Sequence, residues 1–166
     1  METTIRSATE GDRQAIRDLD LAAWSPTFSP SPAPAPDAEL PEIDGEGHDV
    51  LIAEVDGVFA GYANLGPSLP MASNRHVLEL KGINVAREHR GRGVGRSLIE
   101  AATERARARG ARKLKLRVLG PNESARSLYE SCGFRVEGTL RDEFLLDGEF
   151  IDDLLMARDL TPGDER

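Results

Sequence analysis

The sequence predicts an α/β fold in which helices cover both faces of a mixed sheet. Seven segments have the character of strands, three carry an apolar stripe at helical spacing, and two Asp-Gly pairs connect neighbouring strands. The predicted order is strand, helix, three strands, helix, strand, helix and two strands. With 166 residues, 39% of them apolar, the chain is predicted to be one domain over residues 1–166, with a flexible tail at 161–166.

The first strand and helix are predicted near the N-terminus. Residues 4–8 alternate as in a strand, and Thr9 is placed as the N-cap of a helix with apolar positions at Ile16 and Leu19. Residues 25–41 then contain six prolines, a composition that excludes regular helix and favours a loop. This segment, the proline loop, is predicted to be either a tolerated insertion or a mobile lid over a substrate opening.

The next three strands are predicted in the middle of the chain. Residues 50–55 and 58–63 flank Asp56-Gly57, a pair that favours the tight turn of a hairpin. Residues 76–86 alternate as a fourth strand.

The rest of the chain is predicted to form a helix, a strand, a helix and two strands. These elements are at residues 95–108, 113–119, 122–132, 135–145 and 150–158. Gly110 and Gly133 follow the two helices, where glycine commonly ends a helix, and Asn122 is placed as the cap of the second one. Asp147-Gly148 is predicted to join the last two strands by another tight turn.

The charge of the chain is distributed unevenly around a net value of −8. Residues 18–74 include ten acidic residues and no Lys or Arg, whereas residues 75–135 include fifteen Lys and Arg and six acidic residues. A basic middle with acidic flanks suits a phosphate-rich cofactor and a cationic substrate, although ordinary solvated surfaces would give the same pattern. The negative total argues against nucleic acid as a partner.

The sequence predicts neither a metal site nor a membrane segment. Cys132 is the single cysteine and the three histidines are scattered, so no disulfide and no zinc-ligand spacing is present. Cys132 is predicted to be a small buried side chain. Apolar runs are short and the first residues lack the pattern of a signal peptide, so a cytoplasmic protein without a membrane partner is expected.

A glycine-rich stretch between the fourth strand and the second helix predicts an anion site. It reads Arg90-Gly91-Arg92-Gly93-Val94-Gly95. Backbone N–H groups can converge on a pyrophosphate there, because glycines allow close approach and the helix N-terminus carries partial positive charge. The stretch, which we call the glycine loop, lacks the Lys of a Walker A loop, and four strands precede it, unlike in a dinucleotide fold.

These residues resemble the GNAT family of N-acetyltransferases. Ile83-Asn84-Val85 followed by Arg90-x-x-Gly93-x-Gly95 is similar to the acetyl-CoA motif of that family. Asn122-x-x-Ala125-x-x-Leu128-Tyr129-x-x-x-Gly133-Phe134 is similar to its second motif. The resemblance implies a mostly antiparallel sheet that splays between strands four and five to hold acetyl-CoA.

The resemblance also implies roles for single residues. The N–H of Val85 would donate to the thioester carbonyl, and Tyr129 would protonate the departing thiolate, unless it is simply a core aromatic. Asn122 would bind the cofactor or only cap its helix. The residues expected to contact acetyl-CoA are Ile83, Asn84, Val85, Arg90, Gly91, Arg92, Gly93, Val94, Gly95, Arg96, Asn122 and Tyr129.

Glu79 is the expected general base. Its spacing to the glycine loop is similar to that of the catalytic glutamate in related members, and strict alternation would place it on the same side of its strand as Val85. A strand carboxylate can instead pair with Lys81 or Arg117. Weaker candidates for the base are His76, His89 and Glu54.

The predicted activity is transfer of acetyl from acetyl-CoA to a primary amine by direct attack in a ternary complex. The acceptor would be a small amine, an amino acid or a peptide N-terminus. A non-catalytic sensor or interaction module that binds acetyl-CoA is the alternative. A free strand edge and the apolar residues Phe144, Leu145 and Phe150 further suggest a homodimer.

Overall fold

The computed structural model describes residues 1–163. Within these residues, seven strands form one sheet in the order β1-β2-β3-β4-β5-β7-β6, and only β4 and β5 pair in parallel. The strands are β1 Thr3–Ser7, β2 Asp49–Val55, β3 Val58–Pro67, β4 Val77–Val85, β5 Lys113–Leu119, β6 Arg135–Leu146 and β7 Glu149–Asp159. The helices are α1 Arg13–Ala23, α2 Val94–Ala108 and α3 Glu123–Ser131. The predicted mixed sheet is confirmed, and residues 164–166 of the predicted tail lie outside the described residues.

Helices cover both faces of the sheet, as predicted. The larger core lies between the sheet, α2 and α3, where Leu98 and Phe134 are fully buried. A smaller core of Ile16, Val50 and Ile52 lies under α1 on the other side. We call these two sides of the sheet the α2 face and the α1 face.

Both predicted hairpin turns are present. Asp56 and Gly57 have φ values of 50° and 79°, and Asp147 and Gly148 have 49° and 80°. Two successive residues with positive φ match the right-handed twist of the flanking strands, which is why Asp-Gly pairs favour this turn. The β2–β3 and β6–β7 hairpins are therefore determined by local sequence.

Strands β4 and β5 separate after three residue pairs. The paired residues are Val77 and Lys113, Leu78 and Leu114, and Glu79 and Lys115. Beyond them β4 continues to Val85 beside β3 alone, while β5 continues to Leu119 beside β7. We call the gap that opens between them the splay. It confirms the expected separation, and it leaves one edge of β4 without a strand partner.

A β-bulge interrupts β4 at the start of the splay. Leu80 pairs with Leu65 and Gly82 pairs with Asn64, so Lys81 is an extra residue without a partner on β3. An extra residue shifts the alternation of side chains by one position.

The bulge changes which side chains of β4 share a face. Leu78 and Leu80 are buried in the larger core, and Ile83 and Val85 pack against that same core. Glu79, which lies between Leu78 and Leu80, therefore points to the α1 face. The expectation that Glu79 and Val85 share a face is wrong, because strict alternation does not hold across the bulge.

An ion-pair network fixes the start of α1. The Asp12 carboxylate accepts hydrogen bonds of 2.8 Å from both terminal nitrogens of Arg6 and one of 2.7 Å from the Thr9 N–H. Arg6 also donates to Glu54 at 2.8 Å. The Arg6 hydrogen bonds, helped by Thr9, lower the pKa of Asp12 to about 2 against the opposing effect of burial. The network joins α1 to β1 and β2.

The outer end of the β6–β7 hairpin carries exposed apolar side chains. Leu145 is 61% and Phe150 is 67% exposed, whereas Phe144 is partly buried. The homodimer suggested by these residues stays a prediction.

Candidate functional site

The glycine loop forms an open backbone cradle at the wide end of the splay. Gly91 and Gly93 have φ values of +71° and +85°, which other residues rarely adopt, and no atom lies within 4 Å of a Cβ added to either. Helix α2 begins directly after Gly93, so the unpaired N–H groups of its first turn face the same space. Positive φ values between ordinary ones turn successive backbone N–H groups toward one point, and at a helix N-terminus such N–H groups form an anion-binding site. The cradle therefore fits the predicted pyrophosphate.

The arginines around the glycine loop have separate roles. Arg90 donates from Nε to the Val85 carbonyl oxygen at 2.8 Å, across the end of β4. Arg96 donates to the carbonyl oxygen and Oγ of Ser131 at 3.3 and 2.7 Å, which joins α2 to the end of α3. Arg92 is exposed and makes no hydrogen bond or ion pair within residues 1–163. Of the three arginines expected to contact acetyl-CoA, Arg92 is the one whose guanidinium is not bound to a protein partner in that range.

Two amides of β4 point into the splay. The Ala86 N–H donates to the Ala60 carbonyl oxygen at 2.8 Å, so it points toward β3. Because successive residues of a strand direct their N–H groups to opposite edges, the amides of Ile83 and Val85 point away from β3 and into the gap. These donors can pair with an extended ligand arm.

Tyr129 stands on α3 close to the glycine loop. Gly95, in the first turn of α2, packs so closely on α3 that an added Cβ would lie 3.1 Å from Leu128 Cδ2. The Tyr129 ring is 8% exposed and meets Phe134 edge-on, with ring centroids 6.0 Å apart.

The Tyr129 hydroxyl is available as a proton donor. Burial, with a contribution from Cys132, raises the pKa of Tyr129 to about 12, so the hydroxyl keeps its proton at neutral pH. It makes no hydrogen bond within the part of the chain that the structure describes. Tyr129 is thus a core aromatic whose polar group lacks a protein partner there. Cys132 is 3% exposed, which confirms the expected buried position.

Asn122 acts as a helix cap. Its Oδ1 accepts a hydrogen bond of 3.3 Å from the Ala125 N–H at the start of α3. This is the structural role that the sequence allowed. A bond from its amide nitrogen to the cofactor stays a prediction.

Glu79 lies at the narrow end of the splay, in the last pair between β4 and β5. Its carboxylate makes no hydrogen bond or ion pair within residues 1–163. Arg117, one expected structural partner, donates instead to the almost completely buried Asp153 at 2.5 Å. Glu79 is therefore half-buried on the α1 face and open to another partner.

Glu79 and Val85 are far apart along β4. Six residues of strand span about 20 Å, and a bulge shortens this only slightly. Ile83, whose amide also faces the splay, is two residues closer to Glu79. Of the two backbone N–H groups, that of Ile83 is therefore better placed than that of Val85 to bind a substrate atom near the Glu79 carboxylate.

The other candidates for the general base lie elsewhere. Glu54 is paired with Arg6. His76 precedes β4 and lines a separate cavity of about 1120 Å³ with Arg112 and Arg158. His89 belongs to the short helical turn before the glycine loop, with its Nδ1 buried and unpaired.

A polar cluster on the α1 face was not found from the sequence. The Tyr62 hydroxyl on β3 donates to Oδ1 of Asp20 on α1 at 2.7 Å, and Asn84 Nδ2 lies 3.4 Å from the same oxygen. Asp20 is 42 residues from Tyr62 and 64 from Asn84. No local pattern could have indicated the cluster, because a carboxylate on α1 looks like an ordinary polar position of an amphipathic helix.

Side chains of α1 hold the proline loop. Arg17, which is 5% exposed, donates to the carbonyl oxygens of Ala35, Ala38 and Glu39. The loop is also bound at two further places. Arg13 donates to the carbonyl oxygens of Leu40 and Pro41, and Trp24 Nε1 donates to that of Ser31. The loop has no regular helix or strand, as predicted, but it is fastened against α1.

None of the helices within residues 1–163 is both long enough and apolar enough to cross a membrane. In the same range, no three or more His, Cys, Asp and Glu side chains are grouped so that they could hold a metal ion.

Comparisons with known proteins agree with this geometry. The family model "Acetyltransferase (GNAT) family" matches residues 13–134. Phosphinothricin N-acetyltransferase of Alcaligenes faecalis is 30% identical over 165 residues, which cover 91% of this chain and 83% of that protein. An uncharacterized N-acetyltransferase of Bacillus subtilis, YhfO, is 36% identical over 91 residues, but the match spans only 54% of this chain and 61% of that protein.

A solved structure has the same fold. The smu.2055 protein from Streptococcus mutans UA159 has a TM-score of 0.86 and 27% identity, and the match covers 95% of this chain and 99% of that one. The prediction of an acyltransferase of this type is confirmed at the level of the family. The chain belongs to the GNAT family of acetyltransferases.

Proposed function

We propose that the protein transfers the acetyl group of acetyl-CoA to the primary amine of an amino acid or a similarly small acceptor. The observation that carries the proposal is the splay, which has an open backbone cradle at its wide end and the unpaired carboxylate of Glu79 at its narrow end. The relative that acetylates phosphinothricin, an amino acid, supports this class of acceptor.

The donor would bind along the edge of β4. The glycine loop and the first turn of α2 hold the pyrophosphate, and Arg92 adds a positive charge. The pantetheine arm then runs into the splay, where the Val85 N–H can bind it. The thioester carbonyl is assigned to the Ile83 N–H, which lies nearer to Glu79.

Acetyl transfer requires a free amine and a stabilised carbonyl oxygen. Glu79 takes a proton from the acceptor ammonium, directly or through water, and the amine nitrogen attacks the thioester carbon. Negative charge then grows on the carbonyl oxygen, where one preset N–H donor is worth about 3–4 kcal/mol in the transition state. The C–S bond breaks, and Tyr129 gives its proton to the leaving thiolate. The nitrogen loses its second proton as the amide forms, and this proton returns through water to the Tyr129 oxygen, so that the products are the amide, the CoA thiol and protonated Glu79. Both substrates are bound when transfer occurs.

A thermal unfolding experiment with several ligands tests the donor site. Acetyl-CoA and CoA at about one hundred times their dissociation constants should each stabilise the protein by about 2.7 kcal/mol, whereas ATP and NAD should not do so. Equal shifts with all four ligands would point to a general nucleotide site and would contradict the proposal.

Release of free CoA thiol from acetyl-CoA, measured with a panel of amino acids and small amines, tests the reaction. Thiol release that depends on one class of amine supports an enzyme and identifies its acceptor. A selective shift with CoA but no thiol release with any amine would instead favour a sensor that binds acetyl-CoA.

A further inference from the structure

The carboxylate of Asp20 is held in a fixed position by two neutral donors. Tyr62 and Asn84 both reach Oδ1, at 2.7 and 3.4 Å. The other oxygen, Oδ2, has no hydrogen-bond partner in the described part of the chain. Asp20 is half-buried and lies on the last turns of α1. One side of the carboxylate is therefore oriented and the other is open.

The cluster of Asp20, Tyr62 and Asn84 lies near the wide end of the splay. Asn84 stands between Ile83 and Val85, whose amides point into the gap. The Tyr62 hydroxyl lies 3.8 Å from a Cβ built on Gly82, so its ring covers the strand at that glycine. Asp20 is therefore next to the segment of β4 to which the thioester is assigned, on the face where Glu79 also lies.

The charge of Asp20 is not neutralised by a protein cation in the described residues. Arg17 and Arg13, on the same side of α1, donate to carbonyl oxygens of the proline loop and not to Asp20. Burial, followed by the charge of Asp20, raises the pKa of Tyr62 well above its usual range, so the hydroxyl stays a donor. Neutral donors orient a carboxylate without cancelling its charge, and a partly buried carboxylate gains from a cationic partner.

We propose that Asp20 binds the ammonium group of the acceptor through its free oxygen, with Tyr62 and Asn84 as positioning residues. This inference rests on the proposed function and deepens it. Asp20 selects acceptors whose amine is cationic and places the nitrogen beside the thioester. Because Glu79 lies five residues before Asn84 on β4, the proton that must leave before the attack reaches it through water.

The alternative is a structural role in which Asp20 only fastens α1 to β3 and β4. The two roles differ in what the carboxylate charge does. A structural hydrogen bond survives when Asn replaces Asp, because Asn Oδ1 still accepts from Tyr62. An ammonium site does not survive, because the negative charge is gone.

The test compares Asp20→Asn with Asp18→Asn, a control that removes an exposed carboxylate from the same helix. With the best acceptor of the amine panel, Asp20→Asn should raise the acceptor KM about 10- to 100-fold and change kcat less than about threefold, which is the size expected for losing a charged hydrogen bond. The acetyl-CoA dissociation constant should stay within about twofold. Asp18→Asn should change none of these values.

A neutral analogue separates the charge from the shape of the site. The probe is the same acceptor with a hydroxyl in place of the amine, measured as an inhibitor. Asp20→Asn should leave its inhibition constant within about threefold of the wild-type value. Tyr62→Phe, which frees the carboxylate to turn, should raise the acceptor KM about three- to tenfold.

Three results would overturn the inference. The acceptor KM of Asp20→Asn could remain unchanged, or the hydroxyl analogue could lose as much affinity as the amine, or the acetyl-CoA dissociation constant could rise in parallel. Any of these would leave the proposed function intact. If the wild-type protein acetylates no amine at all, the proposed function fails, and the assignment of Asp20 fails with it.

Discussion

The glycine loop and the proline loop obtain their shapes in different ways. The glycine loop has six residues, and its conformation follows from its own backbone, with positive φ at Gly91 and Gly93. The proline loop has seventeen residues and no regular structure, and its course depends on hydrogen bonds from α1 to its carbonyl oxygens. The conformation of the glycine loop is thus determined by its own residues, whereas that of the proline loop is determined by contacts with a neighbouring helix.

This difference has consequences for both substrates. A donor site built from backbone amides needs only the right glycines, so it can serve one invariant ligand, the cofactor. The proline loop, in its predicted role as a lid over the substrate opening, is held by side chains that can be altered without changing the glycine loop. Variants of the two regions should therefore separate donor affinity from acceptor affinity.

Gly93→Ala should have one of the two largest effects and should act on the donor site but not on the acceptor site. A left-handed conformation costs a residue with a Cβ about 1–2 kcal/mol, and the methyl group would enter the open cradle. We expect acetyl-CoA affinity to fall about 50- to 100-fold, measured by titration calorimetry. Gly57→Ala is the matched control, because Gly57 also has positive φ, at +79°, and open space around it. It should lower stability but leave the donor affinity unchanged.

Glu79→Gln tests whether the acceptor side supplies the base. Without the carboxylate, the ammonium must lose its proton to bulk water, so kcat/KM should fall about 10²-fold, with the greatest loss at low pH where free amine is scarce. Acetyl-CoA affinity should not change. The check is the pH–rate profile of both proteins with Glu149→Gln, an exposed carboxylate, as control. A profile of unchanged shape would remove Glu79 from the mechanism.

Arg17→Lys should loosen the proline loop without affecting the glycine loop. A single ammonium cannot replace the guanidinium donors that reach three carbonyl oxygens, so we expect about 2 kcal/mol less stability. If the loop is the predicted lid, the acceptor KM should also rise about tenfold, whereas a tolerated insertion would leave it unchanged. Hydrogen exchange should become faster at residues 31–41 and stay the same at 90–95. Arg107→Lys, on the exposed side of α2, is the control. Equal acceleration in both loops would contradict the separation.

Tyr129→Phe should lower kcat about tenfold with little change in stability. The lost hydroxyl has no protein partner in residues 1–163, so its removal should not weaken the fold, whereas proton donation to the thiolate would be lost. Steady-state kinetics and thermal unfolding of the same sample test this. Cys132→Ala should show the reverse pattern, with lower stability and unchanged kcat, and a fall in kcat for that variant would contradict our view of the cysteine.

Asp12→Asn should have the smallest effect, on stability only. The pKa of Asp12 is lower in the folded protein, about 2, than in the unfolded chain, about 3.8. Its contribution is therefore complete above about pH 4 and is lost as the pH falls toward 2. Because Arg6 is partly exposed, we expect the variant to lose about 1–2 kcal/mol at pH 7. Urea unfolding at several pH values should show the two proteins converging near pH 2, and a constant difference would contradict the assignment.

Local chemistry explains which features could be predicted from the sequence. The Asp-Gly turns, the cap at Asn122 and the glycine loop each depend on residues within a few positions of one another. The bulge at Lys81 depends on how β4 pairs with Asn64 and Leu65 of β3, so alternation alone placed Glu79 on the wrong face. The insertion of β7 between β5 and β6, the contacts of Arg17 and the cluster around Asp20 also join distant parts of the chain. Such contacts leave no periodic signal.

Because of the bulge in β4, the face of the sheet on which each later side chain lies depends on the number of residues in this strand. Lys81 is one residue without a partner, and it alone lets Leu80 and Ile83 face the same core. Deleting a single residue between Glu79 and Gly82 would rotate the following segment by half a turn, so that its apolar side chains met α1 and its polar ones met α2. Changes in length at this place should therefore be far less tolerated than equal changes at residues 25–34, which lie before the first carbonyl that Arg17 holds.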